Sequence, residues 1–202
     1  MNKTSFIINF GINVLGSPEG LGLRPEAKLA SSWFWEYGLQ NRIKLGASKK
    51  AYFLIGLSYL KNRFTWDNDV LLNNAMTSGS QDIVPNFTEV ENLKGSPKMR
   101  VGYVTVPLGL RFKLAKKTYL DLGGYVGYNV LTSQTHVFKI NNEKISENRN
   151  GDYGVNDWTY GATAGLKLFN TRFVFKYNLA PLFVDNINFN TNLIMIGLQS
   201  EL

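Results

Sequence analysis

The chain has 202 residues, of which 44% are apolar and 18% are charged, and its formal net charge is +7. These values exclude an intrinsically disordered chain, and the length fits one domain, so we expect residues 1–202 to form a single folded unit. Polar or charged residues interrupt every hydrophobic stretch before it reaches the roughly 18 residues that a membrane-spanning helix needs. Any membrane crossing must therefore be made by strands.

Aromatic residues make up 13% of the chain, and they accompany 19 Gly. This mixture favours β structure over helix. The sequence contains no cysteine, which removes disulfides and thiolate metal ligands. No signal-peptide pattern opens the chain, so we expect any signal peptide to lie outside this numbering.

Eight segments alternate apolar residues with small or polar ones over a length typical of membrane-spanning strands. In chain order they are 5–15, 31–46, 52–64, 100–114, 118–131, 157–168, 172–180 and 189–202. The clearest is the second, in which Trp35 and Leu39 alternate with Glu36. The eighth is the weakest, because Leu193 and Met195 interrupt its polar face.

The connections between these segments distinguish a membrane barrel from a soluble sandwich, which alternation alone would also fit. Short connections at 46–50, 115–117 and 169–171 alternate with long ones at 16–28, 67–97, 132–156 and 181–188. Short periplasmic turns and long outward loops characterise bacterial outer-membrane barrels. We therefore predict an all-β fold, an eight-stranded antiparallel up-and-down transmembrane β-barrel in the bacterial outer membrane, with both termini on the periplasmic side.

Residues 106–113 (VPLGLRFK) and 119–128 (YLDLGGYVGY) resemble the PorT-like outer-membrane β-barrel families of Bacteroidota. In those families a Pro-Leu strand with basic and aromatic residues near its end precedes a Gly- and Tyr-rich strand. The resemblance implies a small outer-membrane barrel made with a signal peptide, in a group whose best-known members assist gliding and type IX secretion. The family offers no catalytic pattern that could be transferred to this chain.

Charged residues occur on the predicted interior faces of several strands. An eight-stranded barrel is filled by its own side chains, so charges there should pair with one another. The candidate lumen charges are Glu36, Arg42, Lys44, Arg111, Lys113, Asp121, Lys167 and Lys176. A proton or ion path is the alternative interpretation.

Basic residues also concentrate near the three short turns, whereas the 67–97 loop carries five acidic residues and one lysine. Lys49, Lys50, Lys116 and Lys117 form the predicted periplasmic basic rim. Such a rim either attracts anionic phospholipid headgroups or docks an acidic periplasmic partner. No nucleic-acid recognition motif accompanies the basic charge, so we expect no nucleic-acid partner.

Few residues indicate chemistry at an active site. His136, the only histidine, follows Ser133, and a histidine beside a serine can serve a lipid-modifying enzyme. We expect instead a solvated loop histidine. The oxygen-rich stretches 67–69 and 148–152 lack a complete calcium-loop pattern and fit turns, so we expect no metal and no cofactor.

We therefore expect a non-enzymatic structural or accessory subunit of an outer-membrane complex that contacts lipid and other outer-membrane or periplasmic proteins, with a secretion-related complex as the candidate that the resemblance implies. The alternatives are an outer-leaflet lipid-modifying enzyme and a narrow channel or small-ligand receptor. The 67–97 loop contains more apolar residues than a solvated connection normally keeps, so part of it should fold over the barrel mouth or bind a partner. These apolar residues are Leu71, Leu72, Met76, Ile83, Val84, Phe87, Val90 and Leu93.

Overall fold

The computed structural model describes residues 3–16, 27–46, 50–66, 70–76, 83–89, 95–140, 143–151, 153–169, 171–184 and 191–202. These residues form one short 3₁₀ helix, Leu29–Ser31, and eleven strands. The strands are β1 (Lys3–Leu15), β2 (Trp33–Leu45), β3 (Ala51–Thr65), β4 (Val70–Met76), β5 (Ile83–Glu89), β6 (Lys98–Ala115), β7 (Thr118–Ile140), β8 (Glu143–Asn150), β9 (Trp158–Leu168), β10 (Thr171–Asn178) and β11 (Leu193–Glu201). Within the described ranges, no helix is both long and apolar enough to cross a membrane.

Eight of the strands close into an antiparallel barrel, which confirms the predicted fold. Their order around the barrel is β1, β2, β3, β6, β7, β9, β10 and β11, and β11 pairs back onto β1. Phe6 and Leu202 exchange two backbone hydrogen bonds of 2.9 and 3.2 Å at this seam. Closure matters because an open sheet edge in lipid would leave unpaired backbone groups.

The two longest predicted loops contain additional strands, which the sequence did not indicate. In place of a loop from 132 to 156, β7 continues to Ile140 and pairs with β8. Within 67–97, β4 and β5 form a separate hairpin. Outside the bilayer a strand has no lipid-facing side, so it can form without the apolar alternation used to predict the others.

The two faces of the barrel agree with the predicted alternation on every strand. On β6, Val104, Leu108 and Phe112 are exposed on the outside, whereas Thr105 and Arg111 are buried in the lumen. The outward side chains of all eight strands form an apolar belt that fits the hydrocarbon core of a membrane.

Aromatic rings cluster on the outward face, as expected for the membrane interface. Phe10 contacts Trp35 with ring centroids 4.8 Å apart, and Tyr128 contacts Trp158 at 5.2 Å. Tyr160, on the same face of β9, is half exposed. Trp and Tyr rings suit the headgroup region because they are largely apolar and carry one polar group.

The half of the lumen nearer the long loops is filled by apolar side chains. The buried cluster consists of Phe34, Leu60, Phe64, Trp66, Leu72, Phe87, Met99, Val101, Tyr103, Tyr125, Tyr153, Val155, Leu182, Phe183, Leu193 and Met195. Leu193 and Met195, which interrupted the polar pattern of the eighth segment, are thus core residues. The Phe34 ring lies over Gly197, where an added Cβ would be only 2.9 Å from the ring.

The predicted cover over the barrel mouth is present in the β4–β5 hairpin. Leu72 and Phe87 are buried in the apolar cluster, and Leu71 is buried as well. The Phe87 ring lies 5.5 Å from Trp66 and 6.1 Å from Phe183, measured between centroids. Val90 and Leu93 lie outside the described residues.

We predict that Leu108→Arg destabilises the folded barrel by roughly 2 to 4 kcal/mol, because it places a charge in mid-bilayer lipid. Leu114→Arg is the matched control on the same face of β6, close to the turn, and should cost about 1 kcal/mol or less. The measurement is the free energy of unfolding in urea after refolding into liposomes. Equal costs at the two positions would contradict the assignment of the lipid-facing belt.

Candidate functional sites in the lumen and at the two rims

A buried ion pair crosses the lumen between β2 and β10. Lys176 Nζ donates to Glu36 Oε2 at 2.5 Å, and both side chains are almost fully buried. Glu36 also accepts hydrogen bonds from Asn9 Nδ2 at 2.5 Å and from Ser58 Oγ at 2.8 Å. Lys176 Nζ lies 4.9 Å from the centroid of the Tyr125 ring. The carboxylate therefore has three donors, which offset much of the cost of its burial.

A second network of charges lies nearer the short turns. Arg111 donates Nε and Nη2 to the two oxygens of Asp121 at 2.8 and 3.0 Å. Arg172 lies 3.3 Å from Asp121 and donates to Glu201 at 3.0 Å. Arg42 and Arg111 approach Glu201 at 3.9 and 3.4 Å. Three guanidinium groups thus share two carboxylates.

The pairing predicted for the lumen charges is confirmed for Glu36, Arg42, Arg111, Asp121 and Lys176. Lys167 is half-buried, and its pairing stays a prediction. The sequence analysis did not select Arg172 and Glu201, although their positions on the inward faces of the seventh and eighth segments were a usable signal.

The remaining inward lysines, Lys44 and Lys113, occupy the ends of their strands. Lys113 is exposed at the barrel mouth beside the short turns. The space between the two charged networks is a cavity of about 60 Å³ whose lining includes Glu36, Lys176 and Arg172. That volume holds only a few water molecules. Side chains therefore occupy most of the described lumen, with charges at one end and the apolar cluster at the other.

The basic rim lies on turns that are joined by backbone hydrogen bonds. Lys113 N donates to Lys50 O at 2.8 Å, and Phe169 N donates to Lys117 O at 3.1 Å. Lys50, Lys116 and Lys117 are all exposed. Lys49, the fourth residue of the predicted rim, lies outside the described residues.

At the opposite end, the β7–β8 hairpin carries His136, and the expected solvated loop histidine is wrong. His136 lies on β7, only 4% exposed, with Nε2 at 3.0 Å from Glu147 Oε2. Arg149 Nε donates to the other oxygen of Glu147 at 2.6 Å. These hydrogen bonds, first from Arg149 and then from His136, hold the pKa of Glu147 below its ordinary value.

A cavity of about 480 Å³ is lined in part by His136 and Arg149, and we call it the outer pocket. It is lined by Leu72, Gln134, His136, Arg149, Asn150, Gly151 and Tyr153. No part of the chain that the structure describes brings three or more His, Asp or Glu side chains close enough to hold a metal ion. Asp67, Asp69 and Asp152, which belong to the two oxygen-rich stretches, lie outside the described residues.

A closed antiparallel barrel with an apolar outer belt and a lumen filled by side chains defines a small outer-membrane β-barrel protein. The chain belongs to the outer membrane protein beta-barrel domain family, whose model matches residues 8–193. It is therefore a protein of the bacterial outer membrane.

Solved structures similar to the chain include two outer-membrane proteins. One is Ail, the attachment invasion locus protein of Yersinia pestis, with 15% identity, coverage of 98% of this chain and 97% of that chain, and a TM-score of 0.38. Another is a triple mutant of Rhodopseudomonas blastica porin, with 10% identity, full coverage of both chains and a TM-score of 0.22. No curated protein matches the chain. Neither structural likeness is close enough to transfer a role.

We predict that Lys176→Met lowers the free energy of unfolding by roughly 3 to 5 kcal/mol, because it leaves Glu36 charged and buried without its cation. The double variant Glu36→Gln/Lys176→Met should recover most of that loss. In this double variant the amide oxygen at position 36 still accepts hydrogen bonds from Asn9 and Ser58, and no buried charge at this pair is left without a partner. Urea unfolding in liposomes measures both variants, and a double variant as unstable as Lys176→Met would contradict the ion-pair interpretation.

Proposed function

We propose that this protein is a non-enzymatic structural or accessory subunit of an outer-membrane complex, anchored by its barrel and contacting other proteins at a rim. The observation that carries this proposal is the occupied lumen. The charged networks and the apolar cluster fill most of the described lumen, and the cavity of about 60 Å³ between the Glu36 and Arg172 regions holds only a few water molecules. The rims and loops are then the surfaces through which the barrel can act.

The proposal includes membership of the PorT-like group of Bacteroidota and a secretion-related complex. Its support is the resemblance of residues 106–113 and 119–128, which form adjacent parts of β6 and β7. In the barrel these two strands carry the Arg111–Asp121 pair, so the resembling residues include part of the lumen network.

The periplasmic basic rim is the better candidate for the protein contact. In the 67–97 segment, Leu71, Leu72 and Phe87 are buried, so these three side chains present little surface to a partner. Lys50, Lys116 and Lys117 instead extend into solvent from neighbouring turns. A cluster of exposed lysines attracts an acidic protein surface and speeds its association.

Replacing Lys50, Lys116 and Lys117 together with glutamate should release a native partner that co-purifies from the outer membrane in mild detergent. The same three positions changed to arginine form the matched control, which keeps the charge and should keep the partner. Both variants should still migrate faster when unheated than when boiled, as folded barrels do. Retention of the partner by the glutamate variant would overturn the assignment of the rim.

Two further measurements address the alternative functions. We expect no single-channel conductance in planar bilayers, because side chains occupy the lumen. We also expect identical lipid A mass spectra from cells with and without the protein, and no change with His136→Ala. A stable conductance would favour the channel, and a lipid A mass shift that depends on His136 would favour the enzyme.

A further inference from the structure

The outer pocket has the volume of a small-molecule binding site. Its volume of about 480 Å³ lies within the roughly 300 to 1,000 Å³ range of ligand pockets. The β7–β8 hairpin supplies most of its polar wall, and Leu72 from β4 together with Tyr153 supplies the apolar wall. The pocket opens beyond the membrane, at the end of the barrel opposite the basic rim.

Gln134 gives the pocket an acceptor that nothing in the described part of the chain satisfies. Its side chain is only 2% exposed, and its Oε1 atom is buried without a hydrogen-bond partner among the described residues. A buried carbonyl oxygen in that state is destabilising, and proteins rarely retain one without a reason. Because this atom has almost no accessible surface, the Gln134 amide must turn toward the outer pocket before a ligand hydroxyl can donate to it.

The other polar groups of the pocket are held in place by neighbours. Arg149 Nε donates to Glu147 Oε1 at 2.6 Å, although 60% of the Arg149 side chain is exposed. The Tyr153 hydroxyl donates to Arg149 O at 3.2 Å, so the ring is fixed. A preorganised wall of this kind lowers the entropic cost of binding.

Charge compensation decides which ligand fits. Glu147 balances the positive charge of Arg149, so the wall offers hydrogen-bond donors and acceptors without a strong field of one sign. A ligand should therefore provide hydroxyl groups for Gln134 and Asn150, and a C–H face for the part of the Tyr153 ring that lines the pocket. Sugar rings combine these two properties, since hydroxyls project from their edges and C–H groups cover their faces.

We propose that the outer pocket binds an uncharged saccharide of one or two rings, with a sugar hydroxyl donating to Gln134 Oε1. The experiment titrates glucose, N-acetylglucosamine, maltose and cellobiose onto the folded protein by ligand-observed NMR. The detergent must be a phosphocholine, because the headgroup of a maltoside detergent would compete for the site. At least one of the four sugars should bind with a Kd below about 10 mM.

Gln134→Leu should weaken that binding by about tenfold or more, because it removes the acceptor while keeping the side-chain volume. Asn150→Ala, at an exposed position where folding is not at risk, should weaken it as well. Gln40→Leu is the matched control, since it makes the same change on an inward face of β2 in the lumen cavity. Gln40→Leu should bind the sugar with the same affinity as the unchanged protein.

Three results would overturn the proposal. The first is no binding by any of the four sugars. The second is unchanged affinity in Gln134→Leu, which would show that the unpaired oxygen is a structural defect and not a ligand contact. The third is tighter binding of glucuronic acid, titrated as an anionic comparison, than of any of the four sugars, which would mean that Arg149 selects an anion.

The sugar could come from solution or from glycolipid in the same membrane, and one comparison separates these sources. The protein is placed in phospholipid nanodiscs with and without lipopolysaccharide, and the sugar that binds is titrated again. Competition by lipopolysaccharide in the disc identifies glycolipid as the source. Unchanged affinity identifies a soluble saccharide.

Discussion

The hydrogen-bonded closure of β11 onto β1 is the constraint on which the rest of the structure depends. In the hydrocarbon core no water satisfies a free backbone N–H or C=O, so the sheet has to close on itself. A sheet closed with eight strands encloses a lumen that is narrow enough for side chains to fill. The outward residues must then be apolar, and everything else that the chain needs has to be placed inside or beyond the membrane.

The lumen meets the packing requirement in two different ways along its length. Near the long loops, rings such as Phe34 and Trp66 pack as in a soluble core. Near the short turns, Arg111 and Arg172 share the carboxylates of Asp121 and Glu201. Buried ion pairs often add little net stability compared with apolar packing, but loss of one partner is costly. Such networks therefore restrict which strand neighbours the chain can accept.

The two ends of the barrel differ in character, and this difference underlies both proposals. The periplasmic end has short turns with exposed lysines, which suit long-range attraction of an acidic surface. The outer end has a hairpin that extends past the barrel and forms a wall of fixed polar groups around the outer pocket. We propose a protein partner for the first end and a small molecule for the second.

The sequence by itself determined the number of barrel strands, the face of each residue and the location of the short turns. It could do so because alternation in lipid has a strict period of two and because turn lengths are visible in the chain. Even the unexpected Leu193 and Met195 were correctly placed on the inward face. The pair between Arg111 and Asp121 was also accessible, since the two residues lie opposite each other across one short turn.

Only the tertiary structure decided which distant residues meet. Glu36 and Lys176 lie on strands that are not neighbours, so their contact depends on the curvature of the closed sheet. The β4–β5 and β7–β8 hairpins escaped prediction because strands outside the bilayer have no apolar alternation. The outer pocket followed from the second hairpin, whose pairing of β7 with β8 brings His136 opposite Glu147. A linear pattern carries no signal for such a site, because its groups become neighbours only after the strands have paired.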